Sequence, residues 1–155
     1  MNIQFHGLPS VQVATIRHTQ RDAYDQPVEI HISEGDAYPC RHCMGEIPKG
    51  RPYLILAHRP FSDRNPFAET GPIFLCATDC APYRCTGQVP AHLRNPTYIL
   101  RGYTPDQRIV YGTGGVVPRH KILTRVQSLL SRTDIAFVDM RSAENNCYQC
   151  RIGRA

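Results

Sequence analysis

Six of the seven cysteines in this 155-residue chain fall into three close pairs: Cys40-Arg-His-Cys43, Cys76-Ala-Thr-Asp-Cys80 and Cys147-Tyr-Gln-Cys150. Thiols two or three residues apart can share one metal ion or one redox event. Cys85 stands alone, and an odd count argues weakly against a complete disulfide framework.

The first pair sits in Tyr38-Pro-Cys-Arg-His-Cys-Met-Gly-Glu-Ile-Pro-Lys-Gly50, ahead of an apolar run. Two thiolates separated by two residues in a tight turn can both reach one ion at about 2.3 Å. Turn N–H groups can also point at the sulfurs. The common zinc knuckle has glycine directly after its second cysteine; here Met44 comes first and Gly45 follows. Cys76 and Cys80 follow a strand-like run and supply the other half of a tetrahedral site. Cys147 and Cys150 are the alternative second pair. On a regular strand, however, an odd offset sends their side chains to opposite faces. The leading expectation is therefore zinc held by Cys40, Cys43, Cys76 and Cys80. Two other readings stay open, namely reduced cysteines packed as small hydrophobes and a redox dithiol. The second is penalised because Met-Gly-Glu-Ile-Pro-Lys-Gly after Cys43 is a poor helix start. His42 can be a ligand, a donor to a ligand or an exposed loop residue, and the loop residue is the plain expectation.

Strand signals dominate the elements that must position these groups. Residues 11–17 and 28–32 alternate as half-buried strands do, with Val28, Ile30 and Ile32 on one face. The runs 53–57 and 73–76 read as buried strands. Residues 97–101 and 108–111 flank a turn-rich hairpin loop, and 135–140 and 147–152 read as the last two strands. Ile122, Leu123, Val126, Leu129 and Leu130 fall on one face of an amphipathic helix over about 120–130. These elements predict one domain over 1–155 of α+β class, a mostly antiparallel sheet with that helix packed on it and a Cys-x2-Cys knuckle loop.

The apolar content of 41% and charged content of 20% suit a globular chain. No apolar run is long enough to span a membrane, and the first residues lack a charged region followed by an apolar one. A cytoplasmic setting follows as an expectation, one in which thiols stay reduced. The net charge of +5 rests mainly on arginine, with Lys49 and Lys121 the only lysines. Without a Lys/Arg run or basic residues interleaved with aromatics, a nucleic-acid partner is not expected.

Two further stretches carry candidate chemistry. The loop 59–72 could line a small-molecule pocket with Arg59, Asp63, Arg64 and Glu69, although solvated loop charges explain it as simply. Gly112, Gly114 and Gly115, followed by Arg119, His120 and Lys121, could approach a phosphate, but the stretch lacks both GxGxxG order and a P-loop Gly-Lys-Ser/Thr. A glycine-rich turn is the simpler reading. The function classes left standing are a zinc-binding domain with an unknown partner, a thiol-redox or small-molecule enzyme, and a weak nucleic-acid-binding module.

Several segments together resemble domain-of-unknown-function family 1203. They are Pro39-Cys-Arg-His-Cys43, Leu54-Ile-Leu-Ala-His-Arg-Pro-Phe61, Ala68-Glu-Thr-Gly-Pro-Ile-Phe-Leu75, Leu100-Arg-Gly-Tyr103, Ile109-Val-Tyr-Gly-Thr-Gly114, and Val138-Asp-Met-Arg-Ser-Ala143 with Asn145-Asn-Cys-Tyr-Gln-Cys150. The resemblance implies a small bacterial, cytosolic, single-domain protein and assigns no activity. In the family pattern the position of Cys76 often carries His. That is compatible with a zinc ligand and speaks against an obligatory disulfide there.

Overall fold

The computed structural model describes residues 1–35 and 38–155. Contacts divide the chain into two compact units. The first comprises Met1–His6, Phe61–Ala68 and Arg84–Ala155; the second comprises Gly7–Pro60 and Glu69–Tyr83.

The first unit is a six-stranded antiparallel sheet. Its strands are β1 (Ile3–His6), β5 (Arg84–Thr86), β6 (Thr97–Tyr103), β7 (Gly115–Pro118), β8 (Phe137–Ser142) and β9 (Tyr148–Arg154), in the spatial order β5-β1-β9-β8-β6-β7. One register row runs Gly102, Val138, Ile152, Phe5, Cys85 across five strands. Phe5, Val138 and Ile152 on that row are fully buried. Helix α2 (Ile122–Leu130) follows a short 3-10 turn at Arg119–Lys121 and buries Ile122, Val126, Leu129 and Leu130 against β7, β8 and β9. Each such side chain contributes about 1.5–3 kcal/mol on leaving water, so this stripe explains why the helix forms here.

The second unit holds a three-stranded antiparallel sheet of β2 (Glu29–Ile32), β3 (Pro52–His58) and β4 (Gly71–Cys76), in the order β2-β3-β4. Leu54 and Leu56 of β3 pair with Leu75 and Ile73 of β4, and all four are buried. Beside this sheet lie helix α1 (Ser10–Thr19) and the segment 38–47. That segment is a miniature hairpin: Ile47 N–H donates to Tyr38 O at 3.0 Å and Cys40 N–H to Gly45 O at 2.9 Å. Tyr38 stacks on Tyr53 at 4.4 Å between ring centroids, which seats the hairpin on β3.

The fold is the expected α+β class of mostly antiparallel strands with the 122–130 helix packed on them, but three local expectations need correction. Residues 11–17 form the helix α1, not a strand. Their alternation is genuine, but Val13, Ile16 and Arg17 also stand at i, i+3 and i+4, and those are the residues α1 turns inward. Residues 108–111 form no strand. Only Ile109 bridges to Tyr103, and β6 takes β7 as its edge partner after the glycine-rich turn at 112–115. Val28, just before β2, is buried as expected, but Ile30 and Ile32 on β2, an edge strand, stay exposed.

Candidate metal centre

The miniature hairpin carries Cys40 and Cys43 at its tip. Cys40 forms a parallel bridge with Phe74 near the end of β4, and Arg41 N–H donates to Phe74 O at 2.9 Å. That bridge sets the tip beside Cys76, the last residue of β4, and beside Cys80 in the loop that follows. The four Sγ atoms all lie within 4.8 Å of one another. The Cys40–Cys80 separation is 3.9 Å and the Cys43–Cys76 separation 4.0 Å. Four sulfurs placed tetrahedrally at about 2.3 Å from one ion would stand about 3.8 Å apart, so the cluster can hold a metal with little movement. All four are free thiols.

Backbone and side-chain donors converge on these sulfurs. His42 N–H and Cys76 N–H approach Cys40 Sγ at 3.4 and 3.3 Å. Hydrogen bonds from the Cys43 and Cys76 thiols, with the backbone N–H groups of Cys76 and Cys43, hold the Cys40 thiol far below its ordinary range despite burial. Its bond to Cys40 pushes the Cys43 thiol up to about 11, and Cys76 is pushed higher still by its bonds to both. One favoured thiolate thus keeps its neighbours protonated, an arrangement that a cation at the centre would relieve.

Cys80 has its own donors. Arg17 Nη2 on α1 lies 3.3 Å from its Sγ, and Arg17 Nε donates to Cys76 O at 3.0 Å. His42 Nδ1 is 3.1 Å from the same sulfur, while His42 Nε2 is 2.9 Å from Ser10 Oγ. Burial lowers the His42 pKa. A neutral ring with its proton on Nδ1 then donates to sulfur and accepts from the Ser10 hydroxyl, which satisfies both nitrogens.

The knuckle pays a conformational cost at Met44, which adopts φ 54°, the left-handed region where a glycine would sit freely. That cost is about 1–2 kcal/mol for a residue with a Cβ. Met44 is 2% exposed, so burial of its side chain offsets it.

Of the residues singled out by sequence, the four expected ligands come together. Cys147 and Cys150 lie outside this group, the only one of its kind among the described residues. Cys150 is fully buried in β9, and Cys147 Sγ points to Asn145 O at 3.7 Å. His42, expected in an exposed loop, is only 3% exposed. Asp63 and Arg64 are exposed in the first unit, whereas Arg59 and Glu69 belong to the second. Sequence reading missed Arg17 as a donor to Cys80 and Ser10 as the partner of His42, because it made residues 11–17 a strand. The i, i+3, i+4 spacing of Val13, Ile16 and Arg17 was the available signal.

The chain belongs to the family described as Protein of unknown function (DUF1203), whose model matches residues 37–154. That span includes all six paired cysteines and leaves out α1. No curated protein and no solved structure matches the chain.

Proposed function

We propose that Cys40, Cys43, Cys76 and Cys80 hold one zinc ion as a structural centre, and that the protein serves as a zinc-binding recognition domain in a reducing bacterial cytoplasm. The observation behind this reading is the convergence of four free thiols, from two distant stretches of chain, to within 4.8 Å. Bound zinc would supply a cross-link between the knuckle and the end of β4. The chain's own part is to present four sulfurs, to direct N–H groups at them, and to set the Arg17 guanidinium beside a centre whose four thiolates outweigh the metal charge.

A dithiol redox catalyst is the second reading, favoured by the thiolate character of Cys40. It ranks behind because Cys40 is 1% exposed, out of reach of an external disulfide.

The test is metal analysis of protein purified without chelator or added metal, beside a thiol count under denaturing conditions. The expected result is one zinc per chain and seven titratable thiols, with the zinc lost in Cys76→Ser and kept in Cys147→Ser. Absence of stoichiometric metal, together with unchanged stability of Cys40→Ser, would overturn the proposal. Visible absorbance with one iron per chain would replace zinc by iron at the same ligands.

A further inference from the structure

The formal charge of this chain is not spread evenly. Residues 107–133 contain Arg108, Arg119, Lys121, Arg125 and Arg132 and no aspartate or glutamate. This one stretch accounts for the whole net charge of +5, and the remainder of the chain is balanced. It forms the β7 edge of the six-stranded sheet and helix α2 beside it.

Between the two lies an open groove of about 650 Å³. Val116, Val117 and Pro118 line it from β7, Lys121 from the end of the 3-10 turn, and Thr124, Arg125 and Ser128 from α2. Those last four residues are spaced at i, i+3, i+4 and i+7, one continuous face. Val116 is 62% exposed, a large apolar side chain left in water at the end of a sheet.

The strand edge itself is readable. One step beyond the Thr97–Pro118 pair of the β6–β7 register, Arg119 N–H donates to Pro96 O at 2.8 Å. Alternation then turns the backbone groups of Val117 and Gly115 toward β6, and those of Val116 and Pro118 toward the open side. Pro118 has no N–H. The edge therefore offers the N–H and C=O of Val116 and the C=O of Pro118.

We propose that this edge and groove dock an extended acidic segment of a partner protein, added as a further strand beside β7 with every second residue a carboxylate. Lys121 and Arg125 are one helical turn apart, about 6 Å along the axis. Alternate residues of a strand are about 6.6 Å apart. A segment with carboxylates at i and i+2 on the α2 side thus matches the spacing of both cations, and exposed Val116 is left for its intervening residues. The lining contains no aromatic ring on which a base could stack, and an open strand edge gives directional partners to a peptide backbone. Both features favour a peptide over a nucleic acid. This inference concerns the first unit and stands apart from the metal centre.

Fluorescence anisotropy with the full chain decides it, using three labelled probes: Glu-Val-Glu-Val-Glu-Val, its Lys-Val counterpart and a thymidine oligonucleotide. The acidic peptide is expected to bind at low salt and the basic one to fail. Lys121→Glu, at an exposed position, should weaken binding roughly tenfold or more by setting like charges together. Val116→Pro removes the one outward N–H and should weaken it by about threefold to tenfold. Thermal melts check that both variants fold; if Val116→Pro does not, Lys121→Glu alone decides. No binding of the acidic peptide at low salt would overturn the proposal. So would oligonucleotide binding at least as tight as the peptide's and indifferent to Val116→Pro, which would assign the charge to a nucleic acid.

Discussion

Arg17 holds both ends of the second cysteine pair, with Nη2 3.3 Å from Sγ of Cys80 and Nε donating to the carbonyl of Cys76 at 3.0 Å. One planar group thereby holds the end of β4 and the loop after it, which carry two of the four sulfurs. It also ties α1 to the cluster, and α1 needs that tie. The helix has ten residues, buries only Val13 and has no side-chain N-cap, so it is marginal by propensity alone.

Arg17→Ala should therefore lower zinc affinity by roughly 10–100-fold, the range typical of groups that orient metal ligands. Arg17→Lys should fall between, since an ammonium keeps the charge and loses the planar two-point geometry. Competition against a chromophoric chelator at fixed pH reads the effect. Affinity unchanged in Arg17→Ala would show that the guanidinium does not support the site.

Gly7 makes a second demand on the knuckle. A Cβ at this position would overlap the carbonyl oxygen of His42 and crowd that of Arg41, both backbone atoms that cannot swing aside. The neighbouring Leu8 N–H donates to Arg41 O at 2.8 Å, so the two strands of chain are already in register. Gly7→Ala should cost about 1–3 kcal/mol by overpacking and speed zinc release, because the displaced backbone belongs to the Cys40–Cys43 turn. Gly71→Ala is the control: nothing lies within 4 Å of a Cβ there. Denaturant midpoints of the two variants should separate clearly, and equal midpoints would contradict the argument.

The cysteine cluster was legible in the sequence because the spacing within each pair narrows the choice. A Cys-x2-Cys turn places both sulfurs together locally, and a cysteine ending an apolar strand run has its direction set by the strand. Helix α2 was legible for a similar reason, since five apolar residues fit one helical face and fit no strand. Helix α1 was not, because Val11, Val13 and Thr15 fit a strand as well as Val13, Ile16 and Arg17 fit a helix. What selects the helix is tertiary: Arg17 reaching Cys80 and Ser10 reaching His42. Strands β1, β5 and β7 are three or four residues long, too short to show a period, and each is specified by its neighbour in the register. The exposure of Ile30 and Ile32 was equally hidden, since alternation marks a face without saying whether anything covers it.

His6 predicts a pH response in the first unit. Burial, and then the Arg151 guanidinium opposite it on β9, lower its pKa below the usual 6.5. Arg84 stands opposite on β5, a second positive neighbour on the row. The folded state therefore binds the proton less readily than the unfolded chain. Stability is retained above pH 6.5, falls as the pH drops below it, and levels off once the folded-state pKa is passed. His6→Asn should remove this contribution, so its urea midpoint should fall less than the parent's between pH 7.5 and 5.5. Parallel losses in the two proteins would show that His6 does not contribute.

Asp139 and Arg151 make the fourth test. Their two-point pair, at 2.7 and 2.9 Å, spans β8 and β9, with Asp139 1% exposed. The Arg151 guanidinium also lies 3.7 Å from the centre of the Phe137 ring. A pair of this kind gains little over an apolar pair, but breaking it leaves a largely buried cation without its partner. Asp139→Ala alone should cost about 3–5 kcal/mol in guanidinium denaturation. Adding Arg151→Met to Asp139→Ala should recover part of that loss, because the second change removes the stranded charge and retains an unbranched side chain against Phe137. A double variant less stable than Asp139→Ala by the full cost of Arg151→Met would mean that the two groups act independently, and the pair would then not be what holds β8 to β9 at this row.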